Sequence, residues 1–115
     1  MNRLKAVLPS LRQKKRYLVV ELISESKLTI NNYVFSQLEH LFRNFLGDVG
    51  LANAGIIVFN DSYNPKTQRL LVKVSNKYLD KLRASLCFLT TVAGISVIAR
   101  SVYASGMISK AKAYL

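Results

Sequence analysis

Residues Gly55–Ser75 limit the fold of this chain more than any other stretch. Two apolar segments, Ile56–Asn60 and Arg69–Val74, flank the polar Asp61-Ser62-Tyr63-Asn64-Pro65-Lys66. Ile56, Ile57, Val58 and Phe59 are β-branched or aromatic, and Leu70, Val72 and Val74 alternate, so both segments read as strands. An Asp-Ser pair ahead of Asn-Pro is turn chemistry, which predicts a hairpin with its turn over Asp61–Lys66. One amphipathic helix and one further strand lie on each side. The hairpin is therefore the centre of two strand–helix–strand units, a split βαβ pattern.

Along the chain, residues 1–14 form a basic arm, with Pro9-Ser10 opposing helix before the charges. A first strand is expected over Lys15–Ile23. Its alternation turns Leu18, Val20 and Leu22 towards the core and Tyr17, Val19, Glu21 and Ile23 away from it. A first helix starts near Asn31-Asn32, either of which can cap it. Val34, Leu38, Leu41, Phe42, Phe45 and Leu46 form its apolar stripe, and Gly47 is placed to end it, leaving Asp48–Ala54 as a connection. A second helix follows Ser75-Asn76, with Tyr78, Leu79, Leu82, Leu86 and Leu89 on one face. A last strand covers Ile95–Val102, with Ser96, Ile98 and Arg100 outward. The tail, 105–115, carries a short helix capped by Ser105, with Met107, Ile108, Ala111 and Leu115 as its apolar side. So short a helix must dock, and the outer face of the second helix is one place for it. The expected fold is α+β: a ferredoxin-like βαββαβ sandwich with a four-stranded antiparallel sheet, helices on one face and a short C-terminal helix.

At 115 residues the chain fits one domain. No apolar run is long enough to span a bilayer, no signal-peptide pattern stands at the N-terminus, and a single cysteine, Cys87, leaves no internal disulfide. These features fit the cytoplasm. Charge is the stronger clue: 17 Lys and Arg stand against 6 Asp and Glu, a formal net charge of +11. Such an excess favours a polyanionic partner. All six acids lie between Glu21 and Asp80, so both chain ends are purely basic. Arg12, Lys14, Lys15 and Arg16 suit phosphate contacts that need no base reading, and Lys73, Lys110 and Lys112 extend the set.

A helix layer on one side leaves the other sheet face open, presenting Tyr17, Val19, Leu71 and Ile98 with Lys73 and Arg100. Its third strand has no aromatic residue, so base stacking of the RNA-recognition-motif type is not expected. A mixed apolar and basic face instead suits a protein partner or a docked element. Ala84, Cys87 and Phe88, on the outer side of the second helix, are a second apolar surface suited to a partner. Catalysis has little to stand on. His40 is the only histidine, Cys87 has no base beside it in the pattern, and no Cys/His cluster suggests a metal. The Ser24–Thr29 connection also has no glycine with which to build an anion-binding loop. A non-enzyme is expected. Two functions share these features: a basic RNA-binding domain of ribosomal type, and a ferredoxin-like oligomeric module for a small ligand.

Four further segments carry a resemblance. These are Leu8-Pro9-Ser10-Leu11-Arg12 with Lys15-Arg16-Tyr17, Leu46–Ala52, Leu71–Asp80, and Ser105-Gly106-Met107-Ile108 before Lys110-Ala111. In order and spacing they resemble protein component 2 of archaeal ribonuclease P, a family shared with eukaryotic ribonuclease P and MRP. The chain departs from it near Asn76, where the family often has a histidine, and at Met107, where it often has a threonine. The resemblance implies a non-catalytic protein subunit. The RNA subunit, with magnesium, would remove the 5′ leader of precursor tRNA, and the protein itself would bind no cofactor. It further implies a TIM-barrel-like protein partner and a homodimer at the centre of a heterotetramer, with no membrane involved.

Overall fold

The computed structural model describes residues 14–28, 31–92 and 94–115, so the arm lies outside it apart from Lys14. Strand β1 (Lys15–Ser24) leads to helix α1 (Asn31–Ala54), then β2 (Ile57–Asn64) and β3 (Arg69–Ser75). Helix α2 (Leu79–Ser85) is flanked by the 3-10 turns Asn76–Tyr78 and Leu86–Phe88. The short β4 (Thr91–Val92), β5 (Ile95–Ser105) and helix α3 (Ile108–Lys112) complete the chain. The sheet is antiparallel in the order β2-β3-β1-β5-β4. It has five strands rather than the expected four, because Thr91–Val92 turns back on the start of β5.

The main core lies between the sheet and the two longer helices. Leu18, Val20 and Leu22 of β1 are buried there with Leu70, Val72 and Val74 of β3 and Val97 and Ala99 of β5. From the helices come Val34, Leu38, Phe42, Leu82 and Leu86. Removing side chains of this size from water is worth about 1.5–3 kcal/mol each, which makes this layer the main stabilising contact. The expected inward face of each strand is thus observed.

Three expectations are corrected. Asp48–Ala54 is not a plain connection, although Gly47 does end the first helical segment as expected. Gly47 takes φ 74° and ψ 171°, which kinks the helix, and a second segment continues to Ala54 before Gly55, at φ 59°, closes it. Apolar Leu51 and Ala54 keep this segment on the core, which offsets the break.

The hairpin turn is also later than expected, because β2 continues to Asn64. Phe59 pairs with Leu71 and Asn64 with Arg69, so residues 60–63 bulge out opposite Leu70 alone. Ser62 repairs the ladder: its hydroxyl donates to the Phe59 carbonyl at 2.6 Å and accepts the Leu71 N–H at 2.8 Å. The bulge drives Tyr63 into the core, where its hydroxyl donates to the Leu28 carbonyl.

The tail does not pack on α2. Helix α3 lies across the opposite sheet face, where Ala111 is buried against Val19 and Leu71. Val19 and Leu71 are consequently 0 % and 1 % exposed, not open surface. The small Ala111 lets a helix approach the strands closely, a contact that alternation within a strand does not reveal.

Candidate nucleic-acid interface

The basic residues at the start of β1 are held at one end of the sheet. The Lys14 carbonyl accepts the Asn76 N–H at 2.7 Å, which ties the strand entrance to the turn before α2. The Lys14 side chain is exposed, whereas Lys15 and Arg16 are half-buried along their stems. The Arg16 guanidinium lies against the Gly106 backbone: a methyl group at Gly106 would come within 2.7 Å of Arg16 Nη1. Lys15 Nζ similarly sits 3.0 Å from where a Gly55 methyl would be. Glycine at these two positions leaves room for the cations.

Lys73 stands opposite Tyr17 on the neighbouring strand, so it joins this end of the sheet from the tail side. Lys110 and Lys112 are exposed on α3, and Lys112 lines a groove between the tail and β2. Of the expected phosphate-binding residues, the structure therefore groups Lys14, Lys15, Arg16 and Lys73 and sets Lys110 and Lys112 apart on the tail. Arg12 lies outside the described residues.

Sequence reasoning missed an ionic node in the middle of the same face. Glu21 Oε2 accepts from Arg69 Nε at 3.0 Å, and Oε1 accepts from Arg100 Nε at 2.7 Å. Burial pushes the Glu21 carboxyl up, but the hydrogen bonds and charges of Arg69 and Arg100 outweigh it and hold its pKa below 4.5. Arg69 Nη1 also donates to the Tyr114 carbonyl at 2.9 Å, which fastens the chain end. Strand alternation puts Glu21 and Arg100 on one face, but only the strand order brings Arg69 beside them.

The face also holds Tyr103, a residue for which alternation predicts the opposite side. Val19 pairs with Tyr103 while Val20 pairs with Ser101, so Val102 is an extra residue in β5. This bulge turns both Val102 and Tyr103 to the tail side, where the Tyr103 and Tyr114 rings stack with centroids 4.0 Å apart. Tyr17 is half-buried in the same cluster.

On the helix side, Ala84, Cys87 and Phe88 are exposed as expected, Phe88 by 65 %. Phe45, expected on the core-facing stripe of α1, is instead exposed and joins them, its ring centroid 5.4 Å from that of Phe88. Ile98 is exposed on β5, beyond the cover of the tail. Among the described residues, no group of three or more His, Cys, Asp and Glu is placed to share a metal ion. No described helix is long and apolar enough to cross a membrane.

A family model described as Rpp14/Pop5 matches residues 16–115, from the basic strand to the stacked tail. The chain belongs to the Rpp14/Pop5 family. Ribonuclease P protein component 2 of Pyrococcus abyssi is 33% identical over 110 residues, covering 96% of this chain and 91% of the relative. The protein of the same name from Methanosarcina mazei is 32% identical over 108 residues, covering 94% and 89%. A chain in the cryo-EM structure of yeast ribonuclease MRP shares the fold at a TM-score of 0.52, over 90% of this chain and 86% of that one, with 9% identity. The Rpp14/Pop5 match begins at Arg16, at the side chain that Gly106 accommodates.

Proposed function

We propose that this chain is a non-catalytic protein subunit of ribonuclease P that supports the catalytic RNA in removing the 5′ leader of precursor tRNA. The observation that carries the reading is the cationic sheet end, Lys14, Lys15, Arg16 and Lys73, on a chain of net charge +11 in the Rpp14/Pop5 family. Arg12 from the arm, and Lys110 and Lys112 from the tail, would add to it. Cations held on a rigid sheet end neutralise phosphates without choosing among bases. By lowering repulsion between packed RNA helices, they reduce the RNA's need for magnesium, which in this reading serves the RNA and not the protein.

The four long strands follow the order of a ferredoxin-like sandwich, to which β4 is an addition at the edge. In the proposed assembly the chain pairs with itself and with a TIM-barrel-like protein subunit in a cytoplasmic heterotetramer. The exposed Phe45, Ala84, Cys87 and Phe88 are the surface for one of those protein contacts, and Ile98 with the paired, exposed Ile23, at the other end of β1 from Tyr17, is the other.

The test is single-turnover cleavage of precursor tRNA by a matching ribonuclease P RNA at limiting magnesium. The RNA with the TIM-barrel-like subunit alone is compared with the same mixture plus this chain. Cleavage that appears or accelerates only with both proteins is expected. Salt-sensitive RNA binding without any gain in cleavage would reduce the reading to a general basic RNA-binding domain.

A further inference from the structure

We propose that the C-terminal segment is the displaceable occupant of a base-stacking site for single-stranded RNA on the face of the sheet. This rests on the RNA-binding part of the function above and adds a second, non-ionic site to it.

The Tyr114 ring lies over Tyr103 at 4.0 Å with only 14° between the planes, the arrangement a nucleobase takes on an aromatic side chain. Tyr103 does not stand alone. It pairs with Val19, and Tyr17 pairs with Ser105, so the two tyrosines are diagonal neighbours on the adjacent strands β1 and β5. Such positions lie about 7–8 Å apart, within reach of adjacent bases on one strand of RNA. Lys73 stands across from Tyr17 on the next strand and places a cation beside the rings.

The segment is lightly held. Helix α3 has five residues and cannot persist without docking. Its one fully buried side chain is that of Ala111, and the rest of its attachment is the half-buried Leu115 against the same cluster, the tyrosine stack and the hydrogen bond from Arg69 to the Tyr114 carbonyl. Nor does it fill the face. A groove of about 370 Å³ remains beside it, lined by apolar Phe59, Leu71, Ile108 and Leu115 and by opposite charges on Asp61 and Lys112.

Displacement exchanges like for like. A base takes the place of the Tyr114 ring on Tyr103, and a phosphate oxygen takes the place of the Tyr114 carbonyl at Arg69 Nη1. Glu21, the carboxylate beside Arg69, is already paired with Arg69 and Arg100 and so repels a phosphate weakly, while Asp61 lines the groove together with Lys112. The unpaired cost is exposure of Val19 and Leu71, which the apolar faces of the incoming bases cover, and of Ala111 and Leu115 on the released tail.

The experiment uses the full chain and a fluorescein-labelled ten-residue oligouridine. Hydrogen exchange is read with and without saturating RNA, following the tail amides of Ala111, Tyr114 and Leu115, which are hydrogen-bonded within the segment. Faster exchange there, with unchanged exchange in β1 and β5, is expected. Tyr114→Ala should tighten oligouridine binding about fivefold by removing the competitor, and Tyr103→Ala in that background should abolish the gain. Circular dichroism confirms that both variants fold.

A tail that stays protected in saturated complexes would overturn the proposal, as would unchanged affinity in Tyr114→Ala. Failure to bind oligouridine at all, while structured RNA still binds with strong salt dependence, would also sink the stacking site but leave the proposed function standing. Loss of affinity for both RNAs would take the function with it.

Discussion

Tyr63 shows how one polar atom sets the position of a whole strand. Its ring is buried in the main core, and its hydroxyl satisfies the carbonyl of Leu28, a residue whose N–H is in turn held by Gln68 Oε1 at 2.8 Å. Tyr63→Phe keeps the ring and orphans a buried carbonyl, so it should cost about 1–2 kcal/mol in urea denaturation. Glu21 governs acid stability. Its pKa is lowered in the folded state, so the unfolded chain binds more protons at acid pH. Its contribution is therefore complete well above pH 4.5 and is lost as pH falls through the folded value. Glu21→Gln should be less stable than the parent at pH 7 and should lose less stability than the parent between pH 5 and pH 3. Parallel denaturation curves at these pH values would refute that role.

At the scale of elements, the unusual geometry sits at joints. Gly47 interrupts α1 with a positive φ, and nothing lies within 4 Å of the place a methyl group would take there. Gly47→Ala should therefore cost about 1–3 kcal/mol through backbone conformation alone, seen as a lower thermal midpoint with unchanged helix content. The two bulges re-aim side chains rather than weaken pairing. One in β2 sends Tyr63 inward, and one in β5 sends Tyr103 to the tail. Neither shows in a hydrophobic pattern, because an inserted residue changes the face of everything beyond it without changing composition.

For the whole molecule, the separation of charge from apolar surface matters most. The cationic sheet end and the Phe45–Phe88 patch belong to different layers, so RNA and protein contacts can be tested apart. Replacing Lys14, Lys15 and Arg16 together by Ala should lower the slope of log affinity against log salt by about 2–3, one phosphate contact per side chain, in filter-binding titrations with ribonuclease P RNA. Phe88→Asp places a charge on the apolar patch. It should weaken self-association or binding of the TIM-barrel-like partner at least tenfold in sedimentation velocity while leaving the salt slope intact. Retention of both contacts would remove Phe88 from the interface.

The sequence by itself determined the alternation of strands and helices, the inward faces of β1, β3 and the first half of β5, the apolar stripe of α2 and, Phe45 apart, that of α1, and the basic chain ends. These follow from periodicity and composition, which act over neighbouring residues. The four-segment resemblance likewise placed the chain in its family. Tertiary structure alone decided where the tail rests, because docking depends on two surfaces far apart in the chain and on the small size of Ala111. It also decided that Val19 and Leu71 are covered, that Tyr103 and Tyr17 share a face, and that Glu21 gathers Arg69 and Arg100 from two different strands. Those are consequences of strand order and of single inserted residues, and local pattern carries no record of either.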